Sequence, residues 1–455
     1  MTIAFAVLAA AILSREAVEL SDFDQRFYTT IAYDMDRYGV FSNGTLDDVD
    51  SVVSVPPPGM FFGPVYPMLV LLGMKVDDRF ARAVSCSIES IHNHRDASTC
   101  DPYARPMRIL HAFLLALGVV MIALSARLIV PGRFVFWIAG ALATVSLALE
   151  SEIFSYVMTE SVTFSVFSVF AYWLLLAWTT CRSRHFAHAG GLLGVLCLTR
   201  PSFLILVPVI AVMIVVRSRW LNGSRLRFAA TVAAVFALAF CAVAGTWATR
   251  NFASVGKFGL TEEYGAATLI ERFAYNDMTL REFALAFPYC TPGIGELAFD
   301  LVYGTDSMHR FVFHTAGSFF HTGRAHREEL IALHKRLDPV IGEIVAREAL
   351  AHGFQHVLVS IPLAWCGMWA GWLAGLALVP LFAWSCIRAV RDGILMYLLY
   401  SVPATCMLGL HALVANHTTR YNLILIGPFV LGAAMLISEW LETARIKKGL
   451  QQAHR

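Results

Sequence analysis

Apolar residues dominate this chain in long unbroken runs, and charge is confined to the intervals between them. Runs of roughly 18 charge-free residues are long enough to cross a bilayer as helix. Clear or nearly clear examples are Ile109–Ala126, Phe134–Leu149, Ser161–Thr180, Phe228–Trp247, Gly393–Val414 and Tyr421–Ser438. Val357–Ile387 has no charge and exceeds one span, so Pro362 or Pro380 is expected to break it, or its first part to lie along the interface. Gly190–Thr199 and Ser202–Val216 are short and meet at Arg200-Pro201. They read as two thin helices turning near the outer face, with a re-entrant hairpin as the rival. Thr2–Leu13 is short for a span and is completed either by Ser14–Leu20 or by sequence upstream. It lacks the basic flank and small-residue cleavage site of a signal peptide. The pattern predicts an all-α polytopic membrane protein with about ten spans.

Composition agrees: 57% of the 455 residues are hydrophobic and 15% are charged, where soluble domains carry about a quarter. Mean hydropathy is +0.62. The net charge of +2 gives no reason to expect a nucleic-acid partner. Its distribution sets orientation. Arg127 and Arg133, Arg182 and Arg184, Arg217, Arg219, Arg225 and Arg227, Arg388 and Arg391, and Arg445, Lys447 and Lys448 fall at alternate ends of the spans. These ends belong in the cytoplasm, and an even span count puts both termini there. Two long segments, 21–107 and 248–356, hold most of the acids and face the other side. No repeat or linker divides 1–455, which reads as one membrane domain with two outer loops.

The first loop opens on Asp24–Tyr38, an amphipathic pattern. Phe27, Ile31, Met35 and Tyr38 share one face, and Asp34, Asp36 and Arg37 point elsewhere. A polar stretch, Phe41–Val55, contains Asp47-Asp48. It is followed by the stiff Pro56-Pro57-Pro58-Gly59 and by Met68–Met74, too short to cross. Cys86 and Cys100 share this loop. In an oxidising compartment they would bridge, for about 3 kcal/mol; otherwise they are two free thiols. Cys290 has no evident partner, and the other six cysteines, Cys366 among them, read as apolar packing residues. Arg324–Arg347 in the second loop is charged and helical.

Three features carry candidate chemistry. Asp22 and Asp24 sit where the first span emerges. They suit proton abstraction from a hydroxyl or cation binding, and equally the capping of a helix start. Arginines stand at outer span ends in Arg200-Pro201, Arg250-Asn251 and Arg420-Tyr421. They suit phosphate binding through the bidentate guanidinium fork, or snorkelling at the interface. Glu160 heads an apolar span, where an acid is costly and functional if buried, and merely solvated at the boundary. His309, His314, His321, His326 and His334 fit no zinc spacing. No phosphate-binding Gly loop, dinucleotide fingerprint or serine-hydrolase elbow is present.

The spaced set Asp24, Tyr28, Ile31-Ala32, Met35, Gly39 and Phe41, followed by Pro57-Pro58 and Tyr66-Pro67, resembles the first outer loop of GT-C glycosyltransferases. The resemblance is to the protein O-mannosyltransferase and lipid A aminoarabinose transferase group. Gly191–Pro201 is similar to that group's Gly-rich segment ending Leu-Thr-Arg-Pro. Thr246-Trp247-Ala248-Thr249-Arg250-Asn251, with Gly256, is similar to its Pro-Trp-x-x-Arg-Asn motif. Thr159-Glu160 and Arg420-Tyr421 match shorter markers.

The resemblance implies transfer of a sugar from a polyprenyl-phosphate donor to an envelope acceptor, on the periplasmic face of a bacterial inner membrane. Asp24 would be the base. Many members have a second acid next to it, where this chain has Gln25, leaving Asp22 as a substitute or one carboxylate as sufficient. Arg250 and Arg420, with Arg200 and Lys257 behind them, would hold the phosphate. Tyr28, Tyr66, Glu160, Asn251 and Tyr421 would line the pocket. No metal or other cofactor is implied. A lipid-linked-sugar flippase or other transporter is the rival reading from another class. A surface polysaccharide polymerase or ligase using diphosphate-linked donors is a third.

Overall fold

The computed structural model describes residues 1–44, 55–93, 95–132, 134–220, 226–295, 302, 305–313, 315–415 and 418–453. Asp47, Asp48, Arg133, Arg225 and His314 lie outside the described residues, as do the side chains of Arg219 and Lys448. Every regular element among the described residues is helical: α1 (Thr2–Leu13), α2 (Gln25–Tyr38), α3 (Val65–Val76), α4 (Asp78–His92), α5 (Arg105–Ile129), α6 (Val135–Leu149), α7 (Ser151–Ser155), α8 (Glu160–Thr180), α9 (Ser183–Thr199), α10 (Leu206–Trp220), α11 (Leu226–Val255), α12 (Tyr264–Phe273), α13 (Leu280–Cys290), α14 (Phe319–His334), α15 (Ile341–Met368), α16 (Gly375–Asp392), α17 (Leu395–Val414) and α18 (Ile426–Ala453), with short 3-10 turns between them. Among the described residues, six helices are long and apolar enough to cross a membrane, and Thr2–Leu13, Val65–Val76, Val135–Leu149 and Pro201–Arg217 are shorter apolar helices. The chain is an all-α polytopic membrane protein.

The long apolar run breaks at neither proline. Pro362 lies inside α15 and Pro380 inside α16; the chain turns instead at Trp369–Gly371, where Gly371 has φ +90°. Residues 14–20 do not extend α1, which ends at Leu13.

The chain divides into two compact units: Met1–Leu260 with Leu381–Pro403 and Ile426–Arg455, and Thr261–Pro380 with Ala404–Leu425. In the first unit, α9 and α11 pack through glycine. A Cβ at Gly190 would stand 2.2 Å from the Phe236 carbonyl oxygen, and one at Gly194 2.8 Å from Val243 Cβ. Only bare backbone at this four-residue spacing permits that approach, the common device of close helix pairs in lipid. At Gly63 a Cβ would meet the Leu198 carbonyl oxygen at 2.1 Å, so the segment before α3 lies against the last turn of α9.

The helix α2 ends where Gly39 takes a left-handed conformation (φ +68°); the Gly39 N–H donates to the Met35 carbonyl and the Val40 N–H to the Asp34 carbonyl. Its buried side is broader than the apolar stripe suggests and includes Asp34, 4% exposed, which accepts a hydrogen bond from Ser42. Asp34 therefore does not point away from the packed face. The helix α2 packs with α3 and α4, where Tyr33, Tyr66, Val70, Phe80, Val84 and Ile88 share a core. Cys86 and Cys100 form a disulfide.

In the second unit, Tyr275, Phe311, Phe319, Val359 and Leu363 share one cluster, and Ile270, Leu330, Leu337 and Ile344 another. Cys290 has a partner after all: it is bridged to Cys366, with Cα atoms 4.9 Å apart. Cys366 is thus a covalent staple between α13 and α15, not an apolar filler. A separation of 76 residues hides such a pair from local reading.

Candidate functional site

The turn that carries Asp22 and Asp24 is held on both sides by buried polar side chains. Arg108 of α5, 7% exposed, donates to the carbonyls of Arg15 (3.0 Å), Glu16 (2.7 Å) and Ser155 (3.1 Å). Arg15 in turn donates to Ser151 Oγ at 2.9 Å. Gln25, 1% exposed, accepts from Val157 N–H at 2.7 Å and donates to the Glu19 carbonyl at 3.1 Å. Between the two aspartates, Phe23 has φ +51°, a conformation costing about 1 kcal/mol or more for a residue with a Cβ. Its exposed ring meets Tyr156 edge-on at 5.6 Å.

Asp24 immediately precedes α2, but its side chain makes no capping hydrogen bond, so the capping reading is not what the helix start uses. Its side chain is half-buried, whereas Asp22 is exposed. One turn on, Tyr28 gathers the neighbourhood. Burial first, then the negative charge of Asp24, pushes its phenol pKa well up; Arg200 opposes this, Glu160 adds to it, and a hydrogen bond with Thr159 lowers it. Tyr28 also meets Tyr66 edge-on at 5.0 Å.

Glu160 is buried at the first turn of α8 and is ion-paired, not solvated. Arg200 Nη2 donates to Glu160 Oε1 at 2.6 Å, and Arg200 Nε donates to Thr159 Oγ1 at 2.8 Å. Thr159-Glu160 and Arg200-Pro201, 40 residues apart, are one structure. Arg200 stands there because Pro201 cannot continue α9 and biases its predecessor to an extended backbone, here φ −142° and ψ 113°.

Tyr66 is wholly buried, so it supports the site from beneath. Its hydroxyl lies 3.0 Å from His111 Nε2, and His111 Nδ1 lies 2.9 Å from the Phe154 carbonyl. A carbonyl only accepts, so Nδ1 carries the proton and Nε2 accepts from Tyr66.

Arg250 is fixed differently. Its guanidinium donates to the carbonyls of Gly59 (2.7 Å) and Phe41 (3.2 Å) and to Asn251 Oδ1 (3.1 Å). It lies over the rings of Trp247 and Phe41, at 4.7 and 5.2 Å from their centroids. These acceptors are neutral, so the cation keeps its charge while the base of the first loop is stapled to α11. Asn251 is fully buried and gives its amide N–H groups to the carbonyls of Gly259 (2.8 Å) and Leu260 (3.3 Å). It shapes the turn holding the half-buried Lys257.

Arg420 and Tyr421 belong to the second unit, described by itself. There Arg420 lies 5.1 Å from the Tyr421 ring centroid, and the Tyr421 ring lies 5.6 Å from that of His411. The second unit also holds three neighbouring acids, Glu262, Glu263 and Asp338, close enough to share a cation. Arg336 pairs with both glutamates, and Glu263 N–H donates to Asp338, so their oxygens already serve each other.

The structure thus brings Asp24, Tyr28, Tyr66, Glu160 and Arg200 together in the first unit, with Arg250 at its loop base. Arg108 and His111 escaped the sequence reading. Their signal was an arginine and a histidine one helical turn apart at the head of an apolar span, where both need a partner.

No protein-family model matches the chain, and no curated protein matches it. Among solved structures it is similar to the apo form of an oligosaccharyltransferase from Archaeoglobus fulgidus, with 13% identity and a TM-score of 0.47, covering 99% of this chain and 51% of that one. The chain spans about half the length of that protein, and a likeness at this level carries no argument about activity.

Proposed function

We propose that this chain is a membrane glycosyltransferase that moves a sugar from a polyprenyl-phosphate donor to a hydroxyl, or similar nucleophile, of an envelope acceptor. The observation that carries the reading is the corner where Arg200 donates to Glu160 Oε1 at 2.6 Å and to Thr159 Oγ1 at 2.8 Å, beside Tyr28, with Asp24 one turn before it at the start of the same helix. They come from motifs whose resemblance to GT-C enzymes was read separately along the sequence. Asp24 accepts the acceptor's proton as its oxygen attacks the anomeric carbon. The bond from that carbon to the phosphate oxygen breaks, and a polyprenyl phosphate leaves. The transition state has oxocarbenium character, as in glycoside hydrolysis, and one displacement inverts the anomeric configuration.

Of the two candidate phosphate-binding arginines in the first unit, Arg200 is neutralised by Glu160, whereas Arg250 is satisfied by neutral oxygens and keeps its positive charge. Arg250 is therefore the better anchor for the growing phosphate charge. The active face is extracytoplasmic in this reading, on the periplasmic side of a bacterial inner membrane. Disulfides persist in oxidising compartments, and the long segment before α5 and the one after α11 each contribute to one.

The test is radiolabel transfer from polyprenyl-phosphate sugars in membranes. Asp24→Asn lowers turnover by about 10²-fold or more while the protein remains folded and expressed. Arg250→Ala raises the KM for donor more than it lowers turnover. Full activity of Asp24→Asn sinks the base assignment, and unchanged donor dependence removes Arg250 from the phosphate site.

A further inference from the structure

We propose that Gln25, backed by Arg108, is a positioning residue that locks the Asp22–Asp24 turn onto residues 154–157 and thereby sets Asp24 against the Thr159–Glu160 corner; this rests on Asp24 being the base. The resemblance points to a second acid at position 25, and the structure assigns that position another task. The Gln25 side chain is turned inward, 1% exposed, so it presents no face to a substrate. Its amide is used at both ends. Oε1 accepts from Val157 N–H at 2.7 Å, and Nε2 faces the Glu19 and Asp22 carbonyls at 3.1 and 3.5 Å. An amide is the side chain of this length that offers one acceptor and one donor together.

Arg108 completes the clamp from the opposite side by joining the Arg15, Glu16 and Ser155 carbonyls. Both flanks of the turn and both ends of the 155–157 segment are thus fixed. The left-handed Phe23 between the aspartates is the sort of strained residue that persists only where its surroundings over-determine it. Two residues beyond Val157 stands Thr159, which accepts from Arg200. The positional order therefore runs without a gap from Gln25 to the ion pair.

A glutamate at position 25 would keep the acceptor for Val157 but aim a carboxylate oxygen at two carbonyls. Its protonated form would donate again. The ionisable groups near position 25 are Glu19, Asp22 and Asp24 of its own turn, Arg108 of α5, and Glu152 and Tyr156 of the facing segment.

The experiment compares Gln25→Glu and Gln25→Met with wild type. Donors are polyprenyl-phosphate mannose, arabinose and aminoarabinose, and amide hydrogen exchange is measured in parallel on the purified full chain. At about pH 8, Gln25→Glu loses about tenfold or more in kcat with little change in donor KM. Its deficit shrinks at least about threefold by roughly pH 5.5, as the introduced carboxyl takes up a proton. Gln25→Met shows a deficit that does not vary with pH. In the same variant, peptides containing Val157 exchange about tenfold faster.

A Gln25→Glu enzyme as active as wild type at every pH overturns the proposal, because position 25 would then be serving as an acid or serving nothing. Unchanged exchange at Val157 in Gln25→Met overturns it independently of any activity. If Asp24→Asn retains full activity while exchange at Val157 responds to Gln25→Met, the clamp stands and the base assignment fails.

Discussion

Two guanidiniums largely withdrawn from water, Arg200 in the first unit and Arg272 in the second, are satisfied in opposite ways. In the first, Arg200 meets a carboxylate, Glu160, at 2.6 Å, and the pair is close to neutral. In the second, Arg272 is 0% exposed and its acceptors among the described residues are neutral: the Ala412 carbonyl at 2.8 Å, Ser360 Oγ at 2.9 Å, the His356 carbonyl at 3.2 Å and Asn276 Oδ1 at 3.3 Å. Burial lowers the Arg272 pKa to about 10, still far above neutrality. Arg272 is thus a charged pin joining α12 to α15 and to the end of α17, and no single partner defines it. Arg200 is half of an ion pair, with Thr159 as a second, neutral acceptor. A pin of the first kind is built to hold; a pair of the second kind also sets the charge its neighbours feel, here Tyr28.

The comparison is sharpened most by removing the pin. Arg272→Met leaves several buried oxygens without a donor. It should cost at least about 4 kcal/mol, read as a fall in unfolding midpoint of the detergent-solubilised protein. A loss under about 1 kcal/mol would show that water takes over its contacts.

A buried acid of α2 gives the next effect. Burial raises the Asp34 pKa from 3.8 to about 6, against the lowering effect of the Ser42 hydroxyl. The folded state then binds the Asp34 proton more tightly than the unfolded state does. Its contribution is present below about pH 4 and is lost as pH rises through about 6. Asp34→Asn should match wild type near pH 4 and exceed it by up to about 3 kcal/mol above pH 7. Parallel melting curves for the two proteins across that range would contradict the assignment.

The smallest effect is the pair's own coupling. Glu160→Gln and Arg200→Gln each destabilise. In a double-mutant cycle their interaction should be about 1–2 kcal/mol, because removing both partners spares the cost of stranding either charge. Additive losses would mean that each residue is held by other groups.

Much of the architecture was legible before any coordinates. Charge-free runs gave α5, α6, α8 and α17 to within a few residues, because in lipid a helix must satisfy its own backbone and the sequence of a span must be apolar throughout; they also marked α11 and α18, which run on past the apolar stretch to Val255 and Ala453. Arg200-Pro201 marked the corner after α9 for a local steric reason. The errors fall where the cause is not local. Pro362 and Pro380 are tolerated inside helices, and the chain breaks at Trp369–Gly371 instead. Asp34 reads as pointing away from the packed face until the fold buries it against Ser42. Cys290 reads as unpaired until α15 brings Cys366 beside it.

The candidate site divides the same way. Asp24, Glu160, Arg200 and Arg250 are each nameable as residues whose chemistry asks for a partner, and Tyr28 through the resemblance alone. The sequence by itself determined which residues could be charged near a membrane and which stretches had to be helix, since transfer free energy and backbone geometry act within a few residues of chain. Which carboxylate neutralises which arginine was decided only in the folded state. So were the inward turn of Gln25 and the three carbonyls that need Arg108. Hydrogen bonds and ion pairs act over about 3 Å, and the fold alone brings groups 40 to 140 residues apart in the chain within that reach.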